Sequence, residues 1–158
     1  MSITNLIPLL PLLTSTAYLQ FAIDETFFFS LFLRPSHSAQ SATLLPSYLS
    51  AFSRPAILII ASILGTQLLA SLAAIAFSEQ TFWYWAGFAL TLAHFSFVPL
   101  AAPLLVDIAK MERGKEKEKE EEVREKMERF LRVHAVRTWM VNLGAWVCFG
   151  IAVVQRMT

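Results

Sequence analysis

Cysteine is almost missing from this 158-residue chain: Cys148 stands alone. A lone cysteine excludes an internal disulfide and a cysteine-built metal centre, and within an apolar run it reads as a small packing residue. Glycine is sparse as well, with five residues, and none of them forms a phosphate-cradling loop. A haem-attachment motif, a two-histidine zinc motif and a serine nucleophile elbow are also missing. Three histidines and a few carboxylates have no ligand-like spacing, so neither a metal nor another cofactor is expected. Charge is scarce too, at 16% of residues, and outside the stretch from Asp107 to Arg137 it is confined to Asp24, Glu25, Arg34, Arg54, Glu79 and Arg156. With a net charge of +1 there is no case for nucleic acid as a partner.

What fills the chain instead is apolar, at 56% of residues. Four stretches, Leu12 to Leu33, Pro55 to Phe77, Phe82 to Ile108 and Ala135 to Val154, each approach or exceed the ~20 residues that a helix needs to cross a ~30 Å hydrocarbon core. The fold expected is all-α: a single domain, residues 1–158, forming an integral membrane four-helix bundle with a charged cytosolic helical extension before the fourth span. The apolar run Leu6 to Leu13 lacks a positive flank and carries Pro8 and Pro11, which argues against a cleaved signal. Basic residues set the orientation. Arg34 and Arg54 in the first loop and nine in the third (Lys110, Arg113, Lys115, Lys117, Lys119, Arg124, Lys126, Arg129 and Arg132) face only Arg156 on the other side. By the positive-inside rule the charged hairpin is cytosolic and both termini are lumenal.

The second span repeats small residues at Ser62, Thr66, Ala70 and Ala74, with Gly65 beside them, a pattern that suits close helix packing. Ahead of it, Thr43 to Phe52 suits a short interfacial helix, and Pro55 suits the first turn of the span. Phe82-Trp83-Tyr84-Trp85 reads as an interfacial aromatic belt. Pro99 and Pro103 predict a kink in the third span. The helix predicted over residues 110–132 carries favourable Glu122–Lys126, Glu125–Arg129 and Glu128–Arg132 pairs. Its apolar stripe, Val123, Met127, Phe130 and Leu131, offers a docking face for a partner; a merely solvated extension is the simpler reading.

Ionisable residues inside spans cost ~2.5–3.5 kcal/mol each on insertion scales, so each is a functional candidate. Asp24 and Glu25 sit near the middle of the first span, or at its edge if the span ends at Ile23. His94 is central in the third, with Thr91 on its face. His134 and Arg137 share one face of the fourth with Thr138, and Asn142 lies at its edge. A pair of His94 with a carboxylate can serve as a general base. Arg137 is expected either to snorkel to the interface or to bridge to another helix, with Asp107 as the candidate partner.

Phe27 to Leu33 followed by Pro35, Phe97-Val98-Pro99 followed by Pro103, and Phe130-Leu131 with His134 and Arg137 together resemble the anthrone oxygenase-like family of small four-span fungal membrane proteins. The resemblance covers nearly the whole chain. The family's Pro-Thr-Asn element after the third span is replaced here by Pro103-Leu104-Leu105. It implies secondary-metabolite tailoring in the endoplasmic reticulum: a cofactor-independent oxygenase or cyclase acting on a lipophilic polyketide-like substrate. Catalytic roles then fall to His94, His134, Arg137, Asp24 and Glu25, and substrate-binding roles to Asn142, Thr138 and Thr91. The alternative is a non-catalytic accessory subunit that binds a membrane monooxygenase through residues 110–132.

Overall fold

The computed structural model describes residues 6–79, 81–111 and 116–157. Arg113 and Lys115, counted above for orientation, lie outside the described residues, as do the side chains of Lys117 and Lys119. The described residues are all-helical, with α1 (Leu10–Leu31), α2 (Ser38–Ala76), α3 (Phe82–Ala93), α4 (Val98–Ala109), α5 (Glu116–Val136) and α6 (Leu143–Met157). A 3-10 turn, His94–Phe97, joins α3 to α4, and a π turn, Arg137–Asn142, joins α5 to α6. The six helices therefore line up as four rods.

Three of these rods are long and apolar enough to cross a membrane: residues 41–76, 82–109 and 120–156. The first rod is not among them, because Gln20, Asp24 and Glu25 interrupt its apolar run. Pro11 sits in the first turn of α1, where its missing N–H costs nothing. The hydroxyls of Thr14 and Thr16 donate back to the carbonyls of Leu10 and Leu12 at 2.9 and 2.7 Å, so they bring no unpaired polarity to this helix.

The second rod departs most from expectation. Instead of a short interfacial helix and a separate span starting at Pro55, one helix of 39 residues runs from Ser38 and contains both Pro46 and Pro55. At ~1.5 Å per residue it is ~58 Å long, about twice the thickness of a bilayer core. Its small-residue stripe is only half a packing face. Ala70 and Ala74 are buried, whereas Ser62 and Thr66 are exposed and a Cβ on Gly65 would meet nothing within 4 Å. The inward face runs through Ala56, Leu64, Gln67, Ser71 and Ala74 instead.

The predicted kink in the third rod takes the form of the 3-10 turn, placed just ahead of Pro99, whose ring displaces the helical bond to the Phe95 carbonyl. Of the aromatic belt, Tyr84 turns inward and donates to the Pro8 carbonyl at 3.1 Å, while Phe82 and Trp85 are exposed. The α5 stripe is not a free surface. Val123, Met127 and Phe130 are buried against Phe29, Leu45, Leu49, Leu104 and Ile108 of the same chain. Lys126 fixes α5 to α4 through Asp107 at 3.2 Å and also meets Glu122 at 3.3 Å, so Asp107 is not the partner of Arg137.

A second apolar cluster, Ala74, Tyr84, Ala145, Phe149 and Ala152, closes the opposite end. There α3 and α6 approach so closely that a Cβ on Gly87 would lie 2.5 Å from a Phe149 ring carbon. The order of residues along each rod places the buried polar side chains between the two clusters. On the first rod Tyr18 and Glu25 fall between Leu12 and Phe29; on the last, His134 to Asn142 fall between Phe130 and Ala145.

Candidate functional site

The inward face of α1 is written in its spacing: Pro11, Ser15, Tyr18, Ala22 and Phe29 are buried, alternating by three and four, and Glu25 occupies the remaining slot. One residue is ~100° of helical rotation, so Asp24 and Glu25 cannot share that face. Asp24 is exposed and accepts from Gln20 Nε2 at 2.8 Å. Glu25 points inward with its side chain only 10% exposed. The carboxylate pair expected from the sequence is thus a single inward carboxylate, and Asp24 takes no part in the site.

Opposite Glu25 lie His134 and Arg137. Both belong to the last rod, three residues apart, and both are buried. His134 Nε2 lies 2.9 Å from the Ala22 carbonyl oxygen, a bond in which only an N–H can donate. Its Nδ1, at 2.6 Å from Arg137 Nη2, then carries the lone pair that accepts from the guanidinium. This fixes the tautomer: the imidazole is neutral, with both nitrogens committed. Glu25 Oε2 stands 3.6 Å from His134 Nδ1 and 3.6 Å from Arg137 Nη2, which gives the cationic side chain a buried counter-charge.

The third rod adds His94, 2% exposed. Its partner is not the acid expected from the sequence but Tyr18, whose hydroxyl lies 3.0 Å from Nδ1 and 3.1 Å from Nε2. Tyr18 escaped the sequence reading because a tyrosine in an apolar helix reads as packing. The signal was its place seven residues before Glu25, on the same face. Thr91 is buried, but its hydroxyl donates to the Gly87 carbonyl and accepts from Gln67 Nε2, both at 2.9 Å, so it is already engaged between α2 and α3.

The π turn explains how Arg137, Thr138, Val141 and Asn142 are all buried within six residues. Widening the helix there, with Leu143 N–H bonding to the Thr138 carbonyl, brings these side chains to the interior and leaves Trp139 and Met140 exposed. Three of its buried polar atoms, Arg137 Nε, Thr138 Oγ1 and Asn142 Nδ2, have no partner among the described residues. Each can donate a hydrogen bond. Cys148, also buried, sits beyond them as a packing residue.

A cavity of about 740 Å³ opens beside this group. Its walls are largely aliphatic, from Ile57, Ile60 and Leu64 of α2 and Val98, Ala101 and Leu105 of the third rod, and Glu25, His94 and Arg137 all reach into it. Such a volume, apolar with a few convergent polar groups, is that of a small-molecule site. No three His, Cys, Asp or Glu side chains among the described residues are grouped to hold a metal ion.

No family model matches the chain, and no solved structure matches it. Two known fungal proteins do. The epoxidase gkaX of Penicillium citrinum is 34% identical over 164 residues, spanning 97% of this chain and 96% of its own length. The chain belongs to its family. The epoxidase pydX of Acremonium sp is 29% identical over 160 residues, covering 97% of this chain and 95% of that protein. Within this family of fungal epoxidases the named activity is oxidative, in keeping with the tailoring role expected from the sequence; neither relative is named as an anthrone oxygenase.

Proposed function

We propose that the chain is a membrane-embedded tailoring enzyme that takes a lipophilic, polyketide-like substrate from the bilayer and inserts oxygen into it, ending in an epoxide as its relatives' names describe. The observation that carries this reading is the single inward carboxylate of Glu25, set against Arg137 at the edge of a largely apolar cavity. Three apolar rods support the membrane setting, and α1, packed along one face on α2 and the last rod, completes a four-span bundle with lumenal termini in the endoplasmic reticulum.

The chemistry follows the cofactor-independent oxygenation that the anthrone oxygenase resemblance implies. Glu25 removes a proton from an activated carbon, and Arg137 stabilises the resulting enolate oxygen. The carbanion gives its electron pair to dioxygen, and the peroxide formed takes a proton, giving C–O–O–H. The outer oxygen then passes to a carbon–carbon double bond of the substrate while the O–O bond breaks. One atom of dioxygen ends in the epoxide and the other in a hydroxyl, with no outside reductant. His134, with both nitrogens engaged, positions Arg137 and does not exchange protons. His94 and Tyr18 hold the far side of the cavity, and Thr138 and Asn142 offer donors to substrate oxygen behind Arg137.

The accessory-subunit alternative assigns residues 110–132 to a membrane monooxygenase; the apolar stripe of α5 packs into the chain's own core, so such a contact would use the charged face of the helix. Turnover of purified protein in lipid nanodiscs separates the two. Under ¹⁸O₂, a lipophilic carbon acid bearing an alkene is expected to gain two labelled atoms, and Glu25→Gln to gain none. Oxygenation that appears only when a membrane monooxygenase is added would refute the enzymatic reading.

A further inference from the structure

The oxygenation chemistry uses one end of the cavity and leaves two cations unexplained. Arg54 of α2 and Lys110, the residue that caps α4, line the same cavity. Neither takes part in an ion pair among the described residues, whereas Lys126, Arg124 and Arg137 are all engaged by carboxylates. Among the described residues Glu25 is the one acidic residue on the cavity wall, and it is held by Arg137. Sixteen residues separate His94 from Lys110, ~24 Å along the rod at ~1.5 Å per residue. The space between is lined by apolar side chains such as Val98, Ala101 and Leu105.

We infer that the cavity selects an anionic amphiphile: an acidic head group held by Arg54 and Lys110, with an unsaturated apolar body lying along α2 and α4 toward Glu25 and His94. The inference rests on the oxygenase reading for what happens at the far end, and it adds the substrate class. A carboxylate between a guanidinium and an ammonium gains charge-assisted hydrogen bonds that an ester does not. The cations also fix direction, since the head group enters last and the reacting carbon is presented to the polar cluster.

The test uses the full chain in phosphatidylcholine nanodiscs and the fluorescence of parinaric acid, a conjugated polyene carboxylic acid, compared with its methyl ester. The acid is expected to bind about tenfold more tightly or better, as one or two charge-assisted bonds allow. Arg54→Gln with Lys110→Gln should reduce acid binding to the level of the ester and leave the ester unchanged, which also reports that the cavity is intact. Glu25→Gln should lose oxygenation and keep the preference for the acid. Equal binding of acid and ester by the unaltered protein overturns the inference without touching the oxygenase reading. So does a preference that survives the double substitution. Displacement of parinaric acid by phosphatidylglycerol, through the same two cations, assigns them to a lipid head group and overturns it as well.

Discussion

Replacing Glu25 by Gln isolates the charge that balances Arg137. The two groups are 3.6 Å apart and each side chain is 10% exposed. At that separation, and an effective dielectric constant of about 20, the attraction is about 5 kcal/mol. Removing one member of a buried pair leaves the other uncompensated and costs ~3–5 kcal/mol. The glutamine variant should therefore unfold at markedly lower denaturant, followed in detergent by the fluorescence of Trp146, which spans α6 and α1 through its 2.8 Å bond to Thr16. Glu25→Gln combined with Arg137→Gln should recover part of the loss, because no charge is then stranded, and the coupling in the double-mutant cycle should reach ~1–3 kcal/mol. Asp24→Asn, one residue away and exposed, should leave the transition where it was. Equal costs at positions 24 and 25, or strictly additive losses at 25 and 137, would refute the burial and pairing described.

Gly87→Ala should destabilise by ~1–3 kcal/mol, since its new methyl would meet the Phe149 ring, and Phe149→Leu in the same chain should relieve part of that loss in thermal unfolding. Met127→Ala, at a fully buried position, should cost ~2–5 kcal/mol in the same assay; a neutral outcome would mean that α5 is not packed on its own chain. Tyr18→Phe removes one hydrogen-bond partner of the buried His94, which also meets Asn142, so stability should fall by ~1–3 kcal/mol and oxygenation with it. A drop in activity without loss of stability would make the hydroxyl a substrate contact instead.

Helical periodicity alone foretold much of the site. His134 and Arg137 share a face because they are three apart, and the burial of Thr138, Val141, Ala145 and Cys148 follows from the same projection. Asp24 and Glu25 could not be separated without knowing the phase of α1, which is set by contacts with other rods. The stripe on α5 shows the same limit: an apolar face announces burial but not against what. A histidine inside a span announces a helix-to-helix hydrogen bond but not its partner, and for His94 a phenol serves where a carboxylate was a candidate. The long α2 was hidden by Pro46 and Pro55, which usually interrupt a helix and here do not.

The π turn at Arg137–Asn142 keeps a surplus residue out of the register of the rod. A π turn houses one residue more than an α turn and absorbs it on the spot, so the α-helix on either side keeps its own face. Deleting the exposed Met140 would let the rod close to an ordinary α-helix with Phe149 still beside Gly87 and His134 still turned toward α1. What would go is the wide turn that carries Arg137, Thr138, Val141 and Asn142 inward together. The last rod needs the extra residue for its polar middle and not for its ends.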